Sequence, residues 1–241
     1  MKIKPDQLIL YIDDSLLVIN KPAGLLTLPD GYDPDAPHVV GLLSQEFGNL
    51  WIVHRLDKDT SGVLALARTP EAHQILNQQF ETRQASKVYH ALVRGQPAWV
   101  EHTVSLPLLP DGDRRHRTVV DHRQGKPSVT RLRVVERFEK YALVEACPET
   151  GRTHQVRVHL ARQGLPIVAD PLYGDGKGIF LSEIKPEYRK KGAPERPLLG
   201  RLGLHACSVE IVHPLAHKPV RFEAPYPKDF SAALKQLRRL P

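Results

Sequence analysis

Residues 54–67 constrain this chain more than any other stretch. His54-Arg55-Leu56-Asp57-Lys58-Asp59-Thr60-Ser61-Gly62 is a dense polar knot, and Val63-Leu64-Ala65-Leu66-Ala67 follows it at once as an unbroken apolar run. A short apolar run without alternation reads as a strand buried on both faces. The knot in front of it is poor core and poor linker. Holding Arg55 and Asp57 together costs desolvation unless something uses them. The pattern predicts a central buried strand entered through a functional loop.

The rest of the chain supplies partners for that strand. Leu8–Tyr11 and Leu16–Ile19 flank Asp13-Asp14-Ser15 as an opening hairpin, broken after Ile19 by Asn20-Lys21-Pro22-Ala23-Gly24. A helix is expected from Pro37 through Val40, Leu43 and Phe47, and a second from Thr69-Pro70 along Ala72, Leu76 and Phe80. Val88–Val93, Val129–Phe138, Tyr141–Ala146, His205–Val212 and Val220–Ala224 read as strands. Val156, Leu160 and Gln163 follow at helical spacing to a Gly164 cap, and Phe230, Leu234 and Leu237 mark a terminal helix. Antiparallel runs with interspersed helices predict an α+β fold, a mixed and largely antiparallel sheet flanked by helices. No repeat or long linker divides the chain, so residues 1–241 are expected to form one domain, with 174–203 its loosest segment.

Composition narrows the function. Hydrophobic residues are 41% and charged residues 25%, ordinary for a globular protein. No apolar stretch approaches the roughly 20 residues that span a bilayer. The start, Met1-Lys2-Ile3-Lys4-Pro5-Asp6, lacks an apolar signal region, which predicts a cytoplasmic protein without membrane attachment. Cys147 and Cys207 show no metal or redox spacing. The net charge of +7 points to a polyanionic partner. Its cations cluster at Arg114-Arg115-His116-Arg117, at Arg131 and Arg133, and at Arg189-Lys190-Lys191, as either solvated surface or nucleic-acid contacts.

Common catalytic signatures are missing: no phosphate-binding loop, no GxSxG elbow, no HExxH. His154, His159 and His205 have no metal-ligand spacing, so no metal is expected. Ser61 beside Gly62 reads as a turn serine. One carboxylate remains, Asp57, with Arg55 beside it and Arg152 and Arg157 in a second polar knot, Thr150–Leu160. A paired cation would keep Asp57 ionised and aimed. On the residues alone, a structural ion pair explains them as well.

Taken together, the motifs resemble the RluA-type pseudouridine synthases. His54-Arg55-Leu56-Asp57 with Thr60-Ser61-Gly62 is similar to that family's signature, and Asn20-Lys21-Pro22-Ala23-Gly24 to its NKPxG segment. Lys87-Val88-Tyr89-His90-Ala91-Leu92-Val93 is similar to its KxYxAxV strand, Gly151–Leu160 to its GRxHQxRxHL motif, and Asp170-Pro171-Leu172-Tyr173-Gly174 to its DxxYG. Leu204-His205-Ala206 and Phe222-Glu223-Ala224-Pro225 complete the order, from about residue 8 to 230. The resemblance begins almost at once, so the family's common N-terminal S4 RNA-binding module is not expected here.

It implies a pseudouridine synthase-like fold and an enzyme that isomerises uridine in RNA without cofactor or metal. The RNA would be a ribosomal or transfer RNA stem-loop, and the protein is expected to be a monomer. Asp57 matches the essential aspartate, acting by attack on the ribose, attack on the uracil ring, or proton removal to a glycal. Arg157 matches the residue that pairs with that aspartate. Tyr89 matches the tyrosine that stacks on the flipped uracil and serves the late proton transfer. Arg55 resembles the residue inserted into the RNA as the nucleotide leaves its stack. Lys21 would add positive charge, Val156 an apolar pocket wall, and His54 belongs with the substrate-binding residues. Two rivals are an RNA-binding protein of the same fold without catalysis, which the intact Asp57, Tyr89 and Arg157 oppose, and a nucleoside or glycoside hydrolase, which the missing second carboxylate opposes.

Overall fold

The computed structural model describes residues 4–239 except 32, 34, 186, 187 and 189–193. The basic cluster Arg189-Lys190-Lys191 therefore lies outside the described residues. In chain order the elements are β1 (Ile9–Ile12), β2 (Leu16–Lys21), α1 (Val39–Phe47), β3 (Trp51–Ile52), β4 (Ser61–Ala67) and α2 (Pro70–Glu81). Next come β5 (Ser86–Arg94), β6 (Glu101–Ser105), β7 (Leu108–Leu109), β8 (Val119–Val120), β9 (Val129–Arg137) and β10 (Tyr141–Pro148). The chain ends with α3 (Gln155–Arg162), α4 (Leu181–Ile184), β11 (Leu204–Val212), β12 (Pro219–Glu223) and α5 (Lys228–Leu237). It divides into two compact units, Met1–Tyr89 with His205–Pro225, and His90–Leu204 with Tyr226–Pro241.

In the first unit the strand order is β1-β2-β4-β11, with β12 on β11 and β3 on β4. β2 and β4 are buried on both faces, and their side chains sort by the two-residue period of a strand. Leu16, Val18, Val63, Ala65 and Ala67 join the cluster that holds Ala72 and Leu76 of α2. Leu17, Ile19, Leu64 and Leu66 join the opposite cluster, which holds Val39 and Leu43 of α1. A helix on each face explains why both runs lack polar alternation.

β4 starts at Ser61 rather than Val63, and this corrects the turn reading of Ser61 and Gly62. β11 runs parallel to β4 with His205 opposite Ser61 and Ala206 opposite Gly62. Gly62 has φ +119°, and a Cβ there would lie 2.1 Å from the Ala206 carbonyl oxygen. Only glycine permits this approach. β2 likewise runs on to Lys21, two residues past the expected break. α1 begins after Pro37 because His38 is the cap, its Nδ1 accepting from the Gly41 amide at 3.1 Å. Thr69 caps α2 as the sequence predicts, accepting from the Ala72 amide at 3.1 Å with Pro70 following.

In the second unit the order is β5-β10-β9-β6, antiparallel where β9 meets β10 and β6. α5 lays Phe230, Ala233, Leu234 and Leu237 into a core with Leu92, Tyr141 and Leu143. β6, β7 and β8 were not legible in the sequence. β6 has one buried residue in five, and β7 and β8 are two residues each.

Candidate active site

Asp57 sits half-buried on the loop between β3 and β4, with Arg55 exposed two residues earlier. This loop is held through its main chain. The Thr60 amide donates to the Asp57 carbonyl at 3.1 Å. Thr27 Oγ1 donates to the Leu56 carbonyl at 2.8 Å and accepts from the Leu56 amide at 3.2 Å. Lys21 is buried, and its ammonium donates to the carbonyls of Leu25 at 2.7 Å, Pro22 at 3.0 Å and Lys58 at 3.0 Å. Gly24 adds a 2.8 Å amide bond to the same Lys58 carbonyl. The 20–27 segment is thus a clamp on the residues either side of Asp57. Lys21 and Thr27 are both part of that clamp, and sequence reasoning missed Thr27.

Tyr89, near the end of this unit's stretch of β5, packs against the cluster that contains Leu56. Burial raises its phenol pKa, and the negative charge of Asp57 raises it further. Tyr89 is therefore a neutral phenol at neutral pH, within the field of Asp57. His54 faces the other way. Its Nε2 accepts from the Ala65 amide at 3.0 Å, and its ring stacks on Phe80 at 4.7 Å. Burial, helped by the Lys87 charge, pulls its pKa down to about 3, so it is a neutral bracket between loop and strand. Behind the loop, Ser61 Oγ and His205 Nδ1 are 2.9 Å apart, and His205 Nε2 lies 3.2 Å from the Ala224 carbonyl. Ser61 and His205 are fully buried.

The second unit carries Arg157 on α3. Its Nε donates to Asp170 Oδ2 at 2.8 Å and its Nη2 to Asp170 Oδ1 at 2.9 Å, a two-pronged pair buried on both sides. Asp170 Oδ1 also accepts from the amides of Leu172 and Tyr173 at 2.9 and 3.1 Å. Burial pushes the Asp170 carboxyl up, but the Arg157 bonds and charge and these two amides outweigh it and hold the pKa low. The Tyr173 ring lies 5.2 Å from the Arg157 guanidinium carbon.

The remainder of the Thr150–Leu160 knot anchors α3. Gln155 Oε1 accepts from Thr150 Oγ1 at 2.7 Å and the Arg152 amide at 3.1 Å, while its Nε2 donates to Val129 O and Thr130 Oγ1 at 2.9 Å. His159 Nδ1 meets Thr130 Oγ1 at 2.8 Å. Val156 is buried on this helix. His154 takes the left-handed conformation, φ +54°, and its Nδ1 meets the Tyr173 hydroxyl at 3.0 Å. Asp170 as partner of Arg157 was not foreseen. The only signal was that both fall in motifs separated by a short connection.

The family described as RNA pseudouridylate synthase matches residues 15–162. The chain belongs to that family. It is 39% identical over 242 residues to ribosomal large subunit pseudouridine synthase D of Xanthomonas campestris pv. campestris, covering 95% of this chain and 69% of the relative. It is 39% identical over 238 residues to ribosomal large subunit pseudouridine synthase C of Escherichia coli K12, covering 95% of this chain and 70% of that one. Among solved structures, human RNA pseudouridylate synthase domain containing 4 superposes with TM-score 0.75 at 27% identity, over 97% of this chain and 94% of that one.

As an RNA pseudouridylate synthase the chain is an enzyme with an RNA substrate, and the mixed, largely antiparallel sheet is the family's. No described helix is long and apolar enough to cross a membrane. Among the described residues no three His, Cys, Asp or Glu side chains gather to hold a metal ion. Of the basic clusters, Arg131 pairs with Glu149 at 3.0 Å and Arg133 with Glu145 at 2.9 Å, so both are surface ion pairs.

Proposed function

We propose that this chain converts uridines of large-subunit ribosomal RNA to pseudouridine, with Asp57 as the catalytic carboxylate. The observation that carries the reading is the pairing within one unit of a half-buried, clamped Asp57 with Tyr89, a neutral phenol in its field. The uracil is detached from its ribose, turned and rejoined through carbon 5. Asp57 serves the first step as nucleophile or base. Tyr89 stacks on the extruded uracil and offers its hydroxyl to the proton transfer at carbon 5. Arg157 is assigned, on its motif alone, as the cation that keeps Asp57 ionised. Arg55, exposed on the loop, fills the place of the extruded nucleotide. Val156 is assigned to the pocket wall, and Lys21 and His54 to holding the loop.

The choice of ribosomal RNA rests on the names of the relatives, and a transfer RNA stem-loop is the competing target. Residues 1–241 are taken to work as one catalytic domain, as a cytoplasmic monomer. The test maps pseudouridines in cellular RNA of a strain lacking this protein, then restores wild type or Asp57→Asn. The reading expects large-subunit sites to vanish and to return only with wild type. Sites lost from transfer RNA alone would replace the target. Released uracil without pseudouridine would replace the reaction.

A further inference from the structure

Within the second unit, sharing Tyr173 with the Arg157–Asp170 pair, lies a pocket of about 370 Å³ that the chemistry above does not use. It is walled by the loop between β7 and β8, the outer face of α3 and residues 172–174. That volume is in the range that accommodates a small organic ligand, about 300–1,000 Å³. Its lining includes Arg115, Arg117 and Arg162, and no acidic residue.

The walls are built in advance. Asp113 Oδ1 accepts from the amides of Arg115 and Arg117 at 3.0 and 3.1 Å. Arg117 Nε donates to Asp113 Oδ2 at 2.8 Å and its Nη1 to the Leu172 carbonyl at 2.8 Å. The Thr118 amide donates to the Tyr173 hydroxyl at 3.0 Å. These bonds occupy Arg117 and Tyr173 and pin the loop beside α3. Three polar groups are left over. Neither Arg115 nor Arg162 has an ion pair among the described residues. Thr118 is 2% exposed, and its buried Oγ1 has no neighbour to bond except the Tyr173 hydroxyl. A hydroxyl has one donor and two acceptor sites, so this one keeps capacity for a ligand. Val119, Val120 and Val158 supply an apolar wall opposite.

We propose that this pocket is a second RNA subsite that takes one unstacked nucleotide of the substrate. Its two flanking phosphates meet Arg115 and Arg162, its base lies on the valine wall, and a ribose hydroxyl bonds Thr118 Oγ1. Two cations, a hydroxyl and an apolar face are the complement of one nucleotide of single-stranded RNA. The Tyr173 ring lines the pocket and also carries the Arg157 guanidinium at 5.2 Å, so the pocket adjoins the buried pair of the same unit. The assignment rests on the proposed reading of the chain as an RNA-modifying enzyme.

The test uses the full chain, with Arg115→Gln/Arg162→Gln, Thr118→Val, and Arg114→Gln as the control from the same basic cluster. Binding of a short labelled single-stranded RNA is measured across salt concentrations, and pseudouridine formation is measured on ribosomal RNA. Losing two phosphate contacts should make the log–log salt slope shallower by about 1.4 and raise KM by roughly 10–100-fold at moderate salt. The loss should fall on KM rather than kcat. Thr118→Val should raise KM by about 5-fold, the size of one lost hydrogen bond. Arg114→Gln should stay within about 2-fold, as one exposed cation outside the pocket. An unchanged slope in the double variant overturns the subsite, and so does an equal effect of Arg114→Gln, which would mean diffuse surface charge. RNA that binds with the expected slopes but yields no pseudouridine leaves the subsite standing and sinks the reading of the reaction.

Discussion

The loop that carries Asp57 and the helix that carries Arg157 hold their charges in opposite ways. Asp57 is half-buried, and its loop is fixed through main-chain bonds to Thr60, Thr27 and Lys21. Arg157 and Asp170 are almost wholly buried and grip each other side chain to side chain. A loop held through its main chain keeps its shape when the carboxylate it carries is changed. A charge held by its partner gives stability and a fixed direction. Substitutions in the first region should therefore cost chemistry, and those in the second should cost the fold.

The largest effect is expected at Asp57. Asp57→Asn keeps the shape but can neither attack nor accept a proton, so pseudouridine formation should fall by about 10²–10⁴-fold. Its thermal midpoint should match wild type, and a large drop would erase the contrast between the two regions.

The opposite outcome is expected for the buried pair. Arg157→Met or Asp170→Asn strands the partner charge and should cost about 3–5 kcal/mol in denaturant melts. The double variant should recover part of this, a coupling that a double-mutant cycle measures. Asp170 adds a pH signature. Its carboxyl is held low in the folded protein, so its contribution is complete above the unfolded value of about 3.9 and disappears as pH falls through the folded value. Asp170→Asn should abolish that share of acid unfolding. A second cycle, Asp57→Asn with Arg157→Met, asks whether Arg157 also serves Asp57. Additive stabilities there would confine Arg157 to the second unit.

Tyr89→Phe comes next. The ring and its packing on the Leu56 cluster survive while the hydroxyl is lost, so turnover at saturating RNA should fall by about 100-fold. Wild-type turnover would reduce Tyr89 to stacking.

The smallest effect concerns His54. Its pKa is about 3 in the fold against about 6.5 unfolded, so unfolding takes up a proton as pH drops below about 6.5. Stability is complete above that pH and lost on the way down towards the folded value, by at most about 1.4 kcal/mol per pH unit for one proton. His54→Gln should flatten the loss between about pH 6.5 and 5, read as the slope in urea melts. An unaltered slope would mean that His54 is open to solvent and free to meet RNA.

Much of this was legible beforehand for a definite reason. The runs at 16–19 and 63–67 announce strands covered on both sides, and Thr69-Pro70 announces a helix start, because burial and capping leave local marks. β6, β7 and β8 left none, since β6 is mostly exposed and β7 and β8, at two residues each, are too short to display an alternation. In the candidate site, Asp57, Tyr89 and Arg157 stood out through their motifs. The work of Lys21 and Asp170 did not, because a side chain that bonds carbonyls or a distant guanidinium looks, in sequence, like any other charge.

The sequence by itself determined the family, the sheet-forming segments and which carboxylate to ask about, since these depend on residue types at short spacing. Only the tertiary structure decided that Lys21 clamps the loop, that His54 is neutral, that Gly62 must lack a side chain and that Arg157 is bound to Asp170. Each of those follows from burial and from hydrogen bonds between residues far apart in the chain. Distance along the sequence carries no information about them, whereas the desolvation of each polar group does.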